Sequence, residues 1–234
     1  MIAFFESPFE QFLFLDADTV VCGDLNRINE LNRYHFIVDK RGRYDDNSIS
    51  KWFFDTKQME EHFPNFAFGA HREDYFCTGV FMARRNAIRL ERYLELLELS
   101  RKCPNFFKFW EMGILNFMIF EAVDLGHISV LGNPYQLIAS DHRPEMLKAT
   151  FESAISDSGI QSDPVVFHFP SPKSYLFQTS CYSVPMTFFR KRFAREFAGH
   201  GGLYTLAELL REDFKYIHYP LIKSKLRSLI KRSP

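Results

Sequence analysis

The chain has 234 residues, 46% of them hydrophobic and 25% charged, and its 29 Lys plus Arg balance its 29 Asp plus Glu. That composition is that of a soluble globular domain with a sizeable core, filled with unusual bulk by 27 phenylalanines, and the zero net charge gives no global argument for a nucleic-acid partner. Four widely spaced cysteines, Cys22, Cys77, Cys103 and Cys181, form no Cys-x-x-Cys pair, which argues against structural zinc or a small disulfide scaffold and suits a reducing, cytoplasmic setting. No run reaches the ~18–20 apolar residues of a membrane span. Met1 to Glu6 lacks the basic flank and the length of a signal peptide.

In chain order, Met1 to Phe9 reads as the tail of a helix turning through Ser7-Pro8. Phe12 to Leu15 is a short continuous apolar run, the pattern of a strand covered on both faces as in a parallel sheet. It delivers Asp16-Ala17-Asp18 to a strand's carboxyl end, where open α/β sheets place their ligand crevice. Two adjacent carboxylates repel, and a divalent cation that neutralises them is a sufficient reason for the pairing; a strand ending in a polar turn is the plainer reading. Cys22-Gly23-Asp24 supplies a turn, Leu25 to Leu31 a short helix, His35 to Val38 a strand, residues 39–50 a polar surface loop, and Trp52 to Phe63 a weakly patterned helix.

Asp74 to Arg84 is β-rich and carries Thr78-Gly79 in its middle. A glycine inside a strand marks a bulge, tight packing against a bulky neighbour such as one of the phenylalanines, or a place where a ligand approaches the backbone. Asn86 is placed to cap a helix reaching Lys102, with Leu90, Tyr93, Leu94 and Leu97 as its apolar stripe. Trp110 to Asn116 opens a helix that runs to Asp124 or Leu125 and stops at Gly126; Glu111, an acidic residue near its start, complements the helix dipole as readily as it serves chemistry. Ile128 to Leu131 reads as a strand, 132–144 as a loop containing Asp141-His142-Arg143, and Val165 to Phe169 as a strand ending near His168, either a satisfied core residue or a metal ligand.

Taken together, Leu15-Asp16-Ala17-Asp18, then Tyr75-Phe-Cys-Thr-Gly-Val80, then Glu111-Met-Gly-Ile-Leu-Asn116, then His168-Phe-Pro-Ser-Pro-Lys173 resembles the GT-A fold glycosyltransferases, specifically the family 8-like nucleotide-sugar transferases, over about residues 5–173. The resemblance implies an α/β, GT-A-like mixed sheet flanked by helices in residues 1–185, followed by a helical extension over 186–234. It implies transfer of a sugar from a nucleotide-diphosphate donor, UDP-linked, to a glycan, lipid or protein acceptor, generally with retention. Asp16, Asp18 and His168 would hold a divalent ion, Mn2+ or Mg2+; an imidazole among carboxylates independently suits manganese. Lys173 would meet a donor phosphate, Thr78 and Gly79 would lie beside the donor sugar, and Glu111 would take the acidic position near the reacting centre in an orienting or electrostatic role.

Departures from that pattern qualify the sugar-facing side. Glu111-Met112 stands where the family commonly has Asp-Gln, Cys77 where it has asparagine, and Ser171 where it has glycine. Methionine cannot replace the hydrogen bonds of an amide. Only about fifteen residues precede the Asp-x-Asp strand, where the fold's nucleotide-binding βαβ half would need roughly a hundred; the expectation is an N-terminally truncated domain that binds its donor weakly. The rival reading is a non-catalytic relative that binds a glycan or a partner protein. Beyond the match, Met186 to Phe197 interleaves phenylalanine with basic residues, Leu203 to Tyr219 is helical, and residues 213–234 carry six Lys and Arg against Asp213 alone. Leu221, Ile222, Leu226, Leu229 and Ile230 can share one face of a basic amphipathic helix, which either packs on the domain or touches an anionic membrane surface at its periphery.

Overall fold

A computed structural model describes residues 2–40, 42–156, 161–170, 192, 202–219, 222, 223, 225 and 227. In order these form α1 (Ile2–Glu6), β1 (Gln11–Leu15), β2 (Thr19–Gly23), β3 (Phe36–Asp39), α2 (Asp46–Trp52), α3 (Thr56–His62), β4 (Val80–Arg84), α4 (Leu90–Lys102), α5 (Glu111–Asp124), β5 (Val130–Asn133), β6 (Gln136–Ile138), α6 (Pro144–Ser156), β7 (Gln161–His168) and α7 (Gly202–Asp213). A four-stranded sheet has the order β1-β4-β3-β5 and a three-stranded sheet the order β2-β7-β6. Two compact units result: Met1–Leu137 with Gly159–His168, and Ile138–Ser158 with Phe169–Pro234.

The first unit is the expected mixed α/β arrangement of sheet and helices, with an aromatic core. Phe4 stacks on Phe81 with 5.7 Å between ring centroids, Phe14 stacks on Phe81 at 5.0 Å, and Phe63 packs on Phe117 at 4.5 Å. Each fully buried ring contributes about 1.5–3 kcal/mol. These contacts tie β1 and β4 to α1, and α3 to α5, so the frame around the carboxyl end of β1 is stiff. In the second unit, α6 starts with Pro144 at its first position, where the missing N–H costs nothing, and α7 continues into a π-helical turn at Phe214–His218.

Several local expectations change. Strand β1 is an edge strand paired antiparallel with β4, and Leu13 and Leu15, on one of its faces, are exposed; β3 and β5 run parallel. The polar run 39–50 contains the start of a helix, because the Asp45 carboxylate accepts from the backbone N–H of Ser48 and caps α2. Asp55 likewise accepts from the N–H groups of Lys57 and Gln58, dividing the expected helix over 52–63 into α2 and α3. Asn86 caps nothing: it occupies a turn at φ 58°, and α4 begins at Leu90. That helix buries Leu96 and packs Tyr93 and Leu97 on the core, leaving Leu90 and Leu94 exposed. The 132–144 loop hides β6. The helix opened by Glu111 ends as expected, with Gly126 just beyond it at φ 71°. The 185/186 boundary, Ser171, Lys173, the Phe-rich run (apart from Arg192) and most of 220–234 lie outside the described residues; Ile222, Lys223, Lys225 and Arg227 are helical and exposed. Among the described residues no helix is long and apolar enough to cross a membrane.

Candidate metal centre

Two strand pairings bring the candidate ligands together. In the β1–β4 ladder Leu15 lies opposite Val80, and the next step continues beyond the strands: the N–H of Asp16 donates to the carbonyl of Gly79 at 2.8 Å. In the β2–β7 ladder Thr19 lies opposite His168, which sets the imidazole one residue from Asp18. The turn between β1 and β2 is closed by Thr19, whose N–H and hydroxyl both donate to the Asp16 carbonyl at 3.1 and 2.8 Å. Asp16-Ala17-Asp18 therefore occupies the crossing where the chain leaves one sheet for the other.

His168 is buried at 3% exposure, and its Nε2 lies 3.2 Å from Asp18 Oδ1 and 3.7 Å from Asp16 Oδ2. The two carboxylates remain partly exposed, so the cluster has a dry imidazole floor and an open acidic rim. One ligand atom from each of Asp16, Asp18 and His168 falls within a 4.8 Å group. Neighbouring ligands on an octahedron of radius about 2.1 Å lie about 3 Å apart, so this oxygen, oxygen and nitrogen set fits a divalent cation with coordination positions left over.

The glycine at position 79 makes the cluster possible. A Cβ there would stand 2.3 Å from His168 Cε1, 2.7 Å from Nδ1 and 3.0 Å from Asp16 Oδ2. Thr78-Gly79 forms a turn just ahead of β4, and the bulky neighbour packed against the glycine is the imidazole of His168.

Residues with no assigned role in the sequence reading build the support. Asn116, fully buried, accepts from the N–H of Phe76 and donates to the carbonyls of Phe76 and Met112, clamping the lead-in to Gly79 onto α5. Gly113 lets α5 approach so closely that a Cβ would meet the Phe53 carbonyl oxygen at 2.0 Å. On the other ring nitrogen of His168, Nδ1 lies 3.0 Å from Gln136 Oε1 and 3.7 Å from Cys77 Sγ. Buried Asp39 accepts through Oδ1 from the N–H groups of Tyr135 and Gln136, and the Tyr135 hydroxyl donates to the carbonyls of Ile37 and Val80. Burial first, then the charges of Asp39 and Cys77, hold that phenol well above its usual range, so it remains a donor. The available signal for Gln136 was the Tyr-Gln-Leu-Ile run inside the supposed loop.

Glu111 lies outside the Asp16, Asp18 and His168 group; it is half-buried in the first turn of α5, with its charge near enough to Tyr93 to raise that phenol after burial has done so. Met112 packs on the core. Ahead of them, Phe109 and Trp110 adopt φ 48° and 45°, unusual for bulky side chains, and both rings are exposed.

No protein-family model and no curated protein matches the chain. Among solved structures it is similar to the galactosyltransferase LgtC in complex with donor and acceptor sugar analogues, at 13% identity, covering 78% of this chain and 60% of that one, with a TM-score of 0.44. It is similar to an active-site mutant of LgtC at 13% identity, 82% and 62% coverage and a TM-score of 0.44, and to the apo bifunctional glycosyltransferase WbbM at 16%, 70% and 29%, and 0.41. The chain spans less than two thirds of the length of each.

Proposed function

We propose that the chain is a metal-dependent glycosyltransferase that moves a sugar from a UDP-linked donor to a glycan- or lipid-linked acceptor with retention, in the cytoplasm. The observation that carries the reading is the convergence of Asp16, Asp18 and His168 on one point, from two separate stretches of the motif order, with Gly79 of a third clearing the space. A bound Mn2+ or Mg2+ would supply Lewis-acid stabilisation of the negative charge that grows on the diphosphate as the C1–O bond breaks. Asp16 and Asp18 supply the anionic oxygens and His168 the third ligand. Thr78 and Gly79 border the place for the donor sugar, Lys173 neutralises a donor phosphate, and Glu111 acts through its charge on the orientation of the reacting groups.

One observation favours a second reading, a non-catalytic module that binds a glycan or a protein: Met112, at the position where an amide would face the donor sugar, packs on the core. A single experiment separates them. Manganese binding is measured calorimetrically alongside hydrolysis of UDP-sugars, in the wild-type chain and in Asp18→Ala and His168→Ala. Binding and hydrolysis that both disappear in the variants support the enzyme; a folded wild-type chain with neither supports the module.

A further inference from the structure

We propose that Gln136 is a positioning residue for the cation site: its side-chain oxygen selects the tautomer of His168, so that Nε2 is the nitrogen offered between Asp16 and Asp18. The inference rests on the metal-site reading above and extends it to a residue no motif contains.

An amide oxygen can only accept. Since Gln136 Oε1 lies 3.0 Å from His168 Nδ1, the hydrogen-bonded ring carries its proton on Nδ1. The neutral imidazole then holds its lone pair on Nε2, the atom 3.2 Å from Asp18 Oδ1. A lone pair aimed at carboxylates is repulsive until a cation stands between them. With the amide turned round, its NH2 would donate to Nδ1, the proton would move to Nε2, and Nε2–H would donate to Asp18 in the place a cation needs. The two orientations of one amide therefore correspond to a ring that accepts a cation and a ring that blocks it.

Gln136 is 7% exposed, and its Nε2 has no hydrogen-bond partner among the described residues. A bare buried N–H2 group costs about 1–3 kcal/mol, so this side chain is a poor choice for packing and a good one for presenting an acceptor. Its place is fixed from behind. The Gln136 N–H donates to Asp39 Oδ1 at 3.0 Å, and the N–H of Val166, two residues before His168, donates to the Tyr135 carbonyl at 2.9 Å. A second neighbour of Nδ1, Cys77 Sγ at 3.7 Å, is weak both as donor and as acceptor. Ligating histidines are generally fixed by a partner on the far nitrogen, whose loss weakens metal binding about 10–100-fold.

The test uses the full chain, with Gln136→Leu and Gln136→Glu beside wild type. Mn2+ and Mg2+ affinities are measured by calorimetry, the protonation of each His168 ring nitrogen by 15N NMR with and without Mg2+, and melting temperature by circular dichroism. Wild type and Gln136→Glu, which keeps an acceptor, are expected to show the proton on Nδ1 and to bind within a few-fold of each other. Gln136→Leu is expected to bind about 10–100-fold more weakly, and because it removes both the bare amide N–H2 and the acceptor of His168 Nδ1, to melt within a few degrees of wild type. Unchanged affinity in Gln136→Leu with the proton still on Nδ1 overturns the inference, whatever the melting temperature, while a wild-type chain that binds cation through Asp18 and His168 leaves the site reading standing. A wild-type chain that binds neither ion sinks both.

Discussion

Replacing Gly79 by alanine tests the geometry of the cluster with a single methyl group. The added carbon would lie 2.3 Å from His168 Cε1 and 2.7 Å from Nδ1, where ordinary carbon contacts begin near 3.5 Å, so the ring must retreat by roughly 1 Å. It has little room to do so: His168 is buried and held at 3.0 Å by Gln136. Overpacking of this kind costs about 1–3 kcal/mol, and losing the Gln136 bond adds about 1 kcal/mol. Gly79 is absent from the positive-φ glycines, so alanine meets no backbone penalty there, and any loss reports the contact itself. For a chain of this size the sum corresponds to a melting-temperature drop of about 4–16 °C. Thermal unfolding followed by circular dichroism gives that number, and manganese calorimetry on the same samples should show at least a tenfold loss of affinity. A variant that melts within about 1 °C of wild type and binds manganese equally well would falsify the placement of His168 against Gly79.

Asn116→Ala should cost about 3 kcal/mol or more in urea unfolding, because it leaves the Phe76 N–H and carbonyl unpaired in a dry site; a cost below about 1 kcal/mol would show the clamp to be dispensable. Stability should also depend on His35. Burial, then the Arg84 charge, lower its pKa below the usual 6.5, and its Nδ1 accepts from the Ser129 N–H. Below about pH 6.5 the unfolded chain binds the proton more readily than the folded one, so stability rises as pH climbs toward about 6.5 and levels off above. Urea midpoints across that range should follow this slope, and His35→Gln should flatten it; a slope unchanged in the variant places the titration elsewhere.

The parts of the fold legible in the sequence are those whose signal is local. Apolar and β-rich runs placed β1, β3, β4 and β7, and the terminator at Gly126 placed the end of α5. What the sequence concealed depends on long-range pairing. Strand β1 reads as doubly covered because Leu13 and Leu15 are apolar, yet the face that carries them is exposed, and no local pattern records the missing cover. The helices α2 and α3 read as loop and weak helix because their caps, Asp45 and Asp55, sit among other polar residues that carry the same composition. At the candidate site the ligands were visible because chemistry restricts them to a few residue types. Gln136 and Asn116 were not, because a buried amide is indistinguishable in sequence from an exposed one until its partners, 32 and 40 positions away, are known.

The exposed entry to α5 also decides how this protein can be watched. Its two tryptophans, Trp52 and Trp110, are both in this region of the surface: Trp52 stacks on Phe109 at 5.4 Å with the Lys51 ammonium 4.4 Å above its ring, and Trp110 is 64% exposed. The phenylalanine core carries no indole. Intrinsic fluorescence is therefore a local gauge of the turn leading to Glu111, already close to its water-exposed colour in the native state, while loss of the core must be read from the buried tyrosines and the backbone.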